Sequence, residues 1–287
     1  MTAEQDPRWF REALAEAPRH ADVEVEGCPI HLRCWGDPER QGLVLVHGGA
    51  AHSGWWDHIA PFLARTHRVV ALDLSGHGDS GRRPVYDMLT WAREVVAAAE
   101  AGGAVRAPLV VGHSMGGWVA ATAGAHHGDR FDGVAIIDSP LNDQPPEERK
   151  LRRELREPKV YPSLEAIVHR FAPLPAQEVV LPHVRRHVAA ESVRPVEGGW
   201  SWKFDPNMVG DRLLLRDLLP ALRCRAAFLR SEFGLVPPPM IAEIEALLGD
   251  APVVELPEAG HHPMLDQPLS LVTALRALLA HWSPVTL

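Results

Sequence analysis

The sequence predicts an α/β fold, a mostly parallel, doubly wound sheet with a helical cap inserted late in the chain. Three observations lead there. Short continuous apolar runs recur along the chain, each of a length that suits a strand buried on both faces. Helical patterns separate them, and strand–helix alternation of this kind builds a layered sheet with right-handed crossovers. The alternation then lapses between Asp138 and about Leu219, where no buried-strand run is found.

The elements follow in order. Asp6–Ala17 (DPRWFREALAEA) reads as a short amphipathic helix with Pro7 suited to its first turn. In Ala21–Trp35 the apolar residues Val23, Val25, Ile30, Leu32 and Cys34 alternate around Gly27, the pattern of a hairpin. The buried runs are Leu43–Val46, Val69–Leu72, Leu109–Val111, Val134–Ile137, Ala226–Leu229 and Val253–Leu256. Helical patterns lie at Leu89–Ala101, Gly116–His126, Met240–Leu248 and Leu269–Trp282. The gap holds a charged helix at Glu147–Glu157, then segments interrupted by Pro158, Pro162, Pro173, Pro175, Pro182 and Pro195. A structureless loop of that length does not suit a compact domain, so the expected organisation is core (1–139), helical cap (140–219) and core again (220–287).

Hydrophobic residues make up 46% and charged residues 23% of the 287, a globular balance. The formal net charge of −8 disfavours nucleic acid, because a phosphate-binding surface is normally basic. Cys28, Cys34 and Cys224 form neither a CxxC pair nor a ligand cluster, and an odd, sparse count fits buried free thiols in a reducing compartment. Met1 to His20 lacks the apolar core of a signal peptide, and no run approaches the roughly 18 apolar residues of a membrane span. No metal or nucleotide motif is present. The expectation is a cytoplasmic protein acting on a small molecule, with no cofactor, nucleic acid or membrane partner.

Gly112-His113-Ser114-Met115-Gly116 fits G-x-S-x-G, with a buried strand before it and a small-residue helix after it. Such a strand–turn–helix lifts a serine hydroxyl above the sheet edge, which points to Ser114 as a nucleophile. The following helix offers the Met115 N–H and a positive dipole end to a developing oxyanion. His47-Gly48-Gly49-Ala50 follows the first buried run, and the Gly49 N–H is the expected second donor. His47 itself reads as a brace for that loop. His261, in Gly260-His261-His262-Pro263 just past the last apolar run, is the expected base, with His262 pointing elsewhere.

Four segments in order, HGGAAHSGWW, DLSGHGDS, GHSMGGW and AGHHPMLDQP, resemble the α/β-hydrolase superfamily from about Gly42 to Ser283. The resemblance implies that fold, with Ser114 as nucleophile, His261 as base, and Met115 and Gly49 as oxyanion donors. It gives Asp73–Ser80 no catalytic duty, so His77 and Asp79 read as structural. The third member departs from the pattern. Where much of the family carries an Asp, after the strand that follows the cap, this chain reads Arg230-Ser231-Glu232-Phe233-Gly234 and places Gly234 in that slot. Asp138 ends the Val134–Ile137 run, and parallel neighbours end at one sheet edge, so Asp138 should emerge beside Ser114. It is preferred to Glu232 as the acid.

An intact Ser/His pair implies acyl-enzyme hydrolysis of an ester, thioester, lactone or activated C–C bond. The GHSMGGW elbow and an acid at Asp138 also resemble cofactor-independent dioxygenases of N-heteroaromatics, in which the His/Asp pair deprotonates the substrate. A receptor with a vestigial site is the third reading. Trp55, Trp118, Trp200 and Trp202 are the candidate substrate-binding residues, with Trp56 and Phe204 beside them, and core packing is the alternative for each.

Overall fold

A computed structural model describes residues 6–141, 157–208 and 213–282. After helix α1 (Arg8–Ala15), strands β1 (Arg19–Val25) and β2 (Cys28–Trp35) form the expected hairpin. The apolar runs become β3 (Gly42–Val46), β4 (Arg68–Leu72), β5 (Leu109–His113) and β6 (Gly133–Ile137), every residue of them buried. Helices α2 (Ala60–Ala64), α3 (Met88–Ala101) and α4 (Met115–His127) alternate with them.

Side chains alternate across each strand, and both faces are covered. Val44 and Val46 pack with Val70, Leu72, Val110 and Ile136 against Trp91, Val95 and Val119 of α3 and α4. Leu43 and Leu45 face the other way, toward Trp56, Ile59, Leu63, Leu271 and Leu275. This two-sided burial is why the runs read as continuous rather than alternating.

Between β6 and the next core strand come α5 (Leu164–Val168), α6 (Pro182–Glu191), strands β7 (Val193–Val196) and β8 (Gly199–Trp202), and α7 (Leu215–Leu218). The segment expected as a helical cap thus holds an antiparallel hairpin beside its helices. Its signal lay in VRPVEGGWSW, where Val196 pairs with Gly199 across a two-residue turn with Gly198 at φ 81°. The charged helix expected at 147–157 lies, apart from Glu157, outside the described residues.

The core resumes with β9 (Arg225–Phe233), α8 (Pro238–Leu248), β10 (Val253–Gly260), α9 (Pro263–Asp266) and α10 (Pro268–Trp282). The sheet order is β1-β2-β4-β3-β5-β6-β9-β10, parallel from β4 to β10 with β2 antiparallel to β4. Because β10 is an edge strand, its first residues are half-exposed rather than buried on both faces as the apolar run suggested. Strand order reverses at β3, between β4 and β5, which leaves a crevice at the carboxyl ends of β3 and β5. Among the described residues no helix is long and apolar enough to cross a membrane.

Burying neutral histidines ties this core to pH. His58 is fully buried, with Nε2 donating to the Met264 carbonyl (2.7 Å), and burial lowers its pKa to about 4. Burial brings His67 to about 4 as well. A lowered histidine pKa means that the unfolded chain takes up protons the folded chain refuses. Stability should therefore be flat above about pH 6.5, the unfolded value, and fall as pH drops toward 4. Denaturant unfolding across this range checks it. His58→Gln keeps a donor for the carbonyl and should flatten part of the slope; an unchanged slope contradicts the assignment.

Candidate active site

Strand register gathers the chemistry at one sheet edge. Val46 of β3 pairs with Gly112 of β5, His113 with Ile137 of β6, and Ile137 with Leu229 of β9. The segments that follow, His47–Ala50, Ser114, Asp138 and Ser231–Gly234, therefore emerge side by side, and β10 delivers His261 next to them through the Gly260–Phe233 pair.

Ser114 sits at φ 54°, ψ −119°, a conformation that costs a non-glycine residue about 1–3 kcal/mol. Its neighbours show what holds it there. A Cβ at Gly112 would stand 2.0 Å from the Gly116 carbonyl oxygen, and one at Gly116 would stand 2.4 Å from that of His47. Both flanking glycines are thus required by backbone-to-backbone approach. Gly117 leaves space for Ser139, whose hydroxyl donates to the Ser114 carbonyl (2.7 Å), while Ser114 N–H donates to the Ile137 carbonyl (2.9 Å).

Ser114, His261 and Asp138 form one hydrogen-bonded chain. Ser114 Oγ lies 3.0 Å from His261 Nε2, and His261 Nδ1 lies 2.7 Å from Asp138 Oδ2. His261 is 3% exposed and Asp138 fully buried. With Nδ1–H donating to the carboxylate, Nε2 presents its lone pair to the serine hydroxyl. The Asp138 carboxylate also accepts the backbone N–H of Leu235 (2.8 Å) and of Ser231 (3.2 Å).

Gly234 and the Asp138 carboxylate, just past the end of β6, compete for one space. A Cβ there would fall 2.2 Å from Asp138 Oδ2, so the Asp138 carboxylate fills the space into which a side chain at 234 would project. Glu232, the second choice for the acid, is not brought to His261; its carboxylate accepts the Glu258 N–H (2.8 Å).

Gly49 lies against Met115, since a Cβ on it would approach Met115 Sδ at 3.8 Å. The loop carrying Gly49 is pinned by His47, whose Nδ1–H donates to the Gly48 carbonyl (2.7 Å) and whose Nε2 accepts Leu74 N–H (3.1 Å). Asp73 ties this loop to the next, accepting Ser53 N–H (2.6 Å) and Asp79 N–H (2.8 Å).

Sequence reasoning missed three posts around His261. His113 Nε2–H donates to the His261 carbonyl (2.7 Å), Gln177 Oε1 accepts His262 N–H (2.9 Å), and Asp266 accepts Gly260 N–H (2.6 Å). Burial, then the neighbouring His261 and His262, holds His113 well below the usual histidine range, and so neutral. Asp266 stood within AGHHPMLDQP, so its proximity was visible while its role was not. His113, His261 and His262 hold ring nitrogens within 4.8 Å of one another, as a metal site would. Both His261 nitrogens and one of His113 are already engaged in hydrogen bonds.

A cavity of about 260 Å³ adjoins this centre, walled by Gly49, Trp55, Phe171, Trp202, Phe204 and His262 among others. It takes up three of the aromatic residues singled out above, Trp55, Trp202 and Phe204. Trp118 and Trp200 do not line it. Trp118 is 7% exposed in the core beneath α4 with Nε1–H donating to the Pro140 carbonyl (3.0 Å). Trp200 exchanges backbone hydrogen bonds with Tyr161 (2.8 Å each), and Trp56 is fully buried.

A mostly parallel eight-stranded sheet, an elbow serine at positive φ after β5 and a histidine after the last strand define the α/β-hydrolase class. The chain belongs to the alpha/beta hydrolase family, whose model matches residues 43–275. A pyrethroid hydrolase of Sphingobium wenxiniae is 33% identical over 105 residues, 34% of this chain and 36% of that protein. A pimeloyl-[acyl-carrier protein] methyl ester esterase of Edwardsiella ictaluri is 32% identical over 100 residues, 35% of this chain and 37% of that protein. A monoacylglycerol lipase of Mycolicibacterium smegmatis is 31% identical over 131 residues, 43% of this chain and 47% of that protein. The matches thus span less than half the length of these relatives. Among solved structures, E-2-(acetamidomethylene)succinate hydrolase superposes with a TM-score of 0.78 at 20% identity, covering 92% of this chain and 99% of that one. The thioesterase domain of a curacin biosynthetic pathway gives 0.77 at 21%, covering 91% and 99%. Both likenesses concern the fold.

Proposed function

We propose that this protein is a serine hydrolase that cleaves an ester, thioester, lactone or activated C–C bond of a small, partly apolar molecule through an acyl-enzyme on Ser114. The observation that carries the proposal is the Ser114–His261–Asp138 hydrogen-bond chain beside Gly49 and Met115. His261 Nε2 takes the hydroxyl proton as Oγ attacks the carbonyl carbon, then returns it to the leaving group. Water repeats the sequence and frees Ser114. The N–H groups of Gly49 and Met115 bind the oxyanion, while Asp138 keeps the imidazole in the productive tautomer. Residues 140–219 act as the cap, and Trp55 and Trp202 flank the apolar part of the substrate.

The relatives named as an esterase, a lipase and a pyrethroid hydrolase support esters as the first class to try. A panel of 4-nitrophenyl esters of increasing acyl length, run beside Ser114→Ala, tests it. Turnover with a chain-length optimum, reduced to background in the variant, is expected. Equal rates in both proteins contradict the proposal.

A further inference from the structure

We propose that the substrate carries a carboxylate away from the scissile bond, and that Arg170 selects for it. The inference deepens the acyl-enzyme reading and rests on it.

Arg170 lines the same cavity as Gly49 of the oxyanion loop and His262 beside the base. Among the described lining residues it is the one fixed cation, and no carboxylate accompanies it. His262 adds no charge, because burial lowers its pKa to about 3. Neighbouring cations are matched locally. Arg33 pairs with Asp57 and Glu191, Lys203 with Asp79, and Arg185 donates to the carbonyls of His169 and Phe171.

Arg170 makes no ion pair among the described residues. Its guanidinium lies 5.9 Å from the Tyr161 ring centroid, and Lys159 Nζ lies 5.2 Å from the same ring. Tyr161 packs edge-on against Trp202 of the cavity wall, with centroids 6.4 Å apart. Two cations therefore flank a ring that packs behind the cavity wall, in a protein whose formal net charge is −8.

The remaining polar groups of the wall are few and mostly sealed or engaged. Trp55 is 5% exposed, yet its Nε1–H has no acceptor among the described residues. The Ser192 hydroxyl is already committed, donating to the Val188 carbonyl (2.6 Å) and accepting from His52 Nε2 (2.9 Å). The cavity thus offers one planar cation between largely apolar walls. Arg170 is exposed at the edge of the cavity, and its guanidinium fork matches a carboxylate in two parallel hydrogen bonds.

Matched substrates test it. The 4-nitrophenyl half-esters of adipic and terephthalic acid carry the anion on the acyl side, against the neutral hexanoate and 4-methylbenzoate. The hexanoate ester of 4-hydroxybenzoic acid carries it on the alcohol side, against that of 4-methylphenol. In at least one set the wild type should prefer the anionic member. Arg170→Gln should raise KM for that member by roughly 10- to 100-fold with little change in kcat or in the neutral partner, and Arg170→Lys should restore part of the preference. No charge preference in any set, or one that survives in Arg170→Gln, overturns the inference while neutral esters are still turned over. Absence of Ser114-dependent turnover in every set overturns the hydrolase reading beneath it.

Discussion

Asp138→Asn should lower kcat by roughly 10³- to 10⁴-fold with little change in KM, the loss expected when an imidazole is released into the wrong tautomer. The amide is nearly isosteric, but its NH₂ cannot accept from His261 Nδ1–H, which now ends 2.7 Å from a carboxylate oxygen. Glu232→Gln should leave activity essentially unchanged, because Glu232 is bound to the Glu258 backbone instead. The position of Gly234 sharpens the test. Gly234→Asp alone forces a side chain into the Asp138 carboxylate and should cost both folding and activity. Asp138→Gly combined with Gly234→Asp places one carboxylate in the shared space and should recover part of the activity lost in Asp138→Gly. Full activity in Asp138→Asn contradicts the assignment of the acid.

Ser114→Ala should remove kcat/KM by about 10⁵-fold, since loss of a nucleophile that acts as one unit with its base leaves only oxyanion binding and proximity. Stability offers a second readout. Ser114 and its alanine replacement both hold positive φ at the elbow, whereas Ser114→Gly relieves that strain. Ser114→Gly should therefore be as inactive as Ser114→Ala but melt at a higher temperature. A lower melting temperature for the glycine variant shows that the elbow stores no strain.

Much of this centre was legible because its signals are local. G-x-S-x-G combines its steric demand with its serine in five residues, and each buried run declares a strand through a few consecutive side chains. Asp138 was reachable by one further step, because parallel strands end together. The unread parts depend on contacts between distant residues. His113 meets the His261 carbonyl across 148 positions, and Gln177 meets His262 across 85. Gly234 looked like a missing acid, and only its closeness to the Asp138 carboxylate shows that the space is filled from β6. Trp118 illustrates the converse. A tryptophan four residues past the nucleophile looks close to substrate, yet the turn of α4 carries it into the core. The β7–β8 hairpin was masked by Pro195, which an edge strand tolerates.

The central claim is covalent chemistry at Ser114, and a fluorophosphonate probe addresses it directly. Native protein treated with the probe and digested should carry one phosphonyl adduct, on the peptide holding Ser114, in step with loss of ester turnover. His261→Gln should slow labelling sharply, because the hydroxyl then lacks its base. Folded protein that stays unlabelled, or that loses no activity when labelled, contradicts an acyl-forming serine and leaves the His261/Asp138 pair as a base acting on the substrate itself.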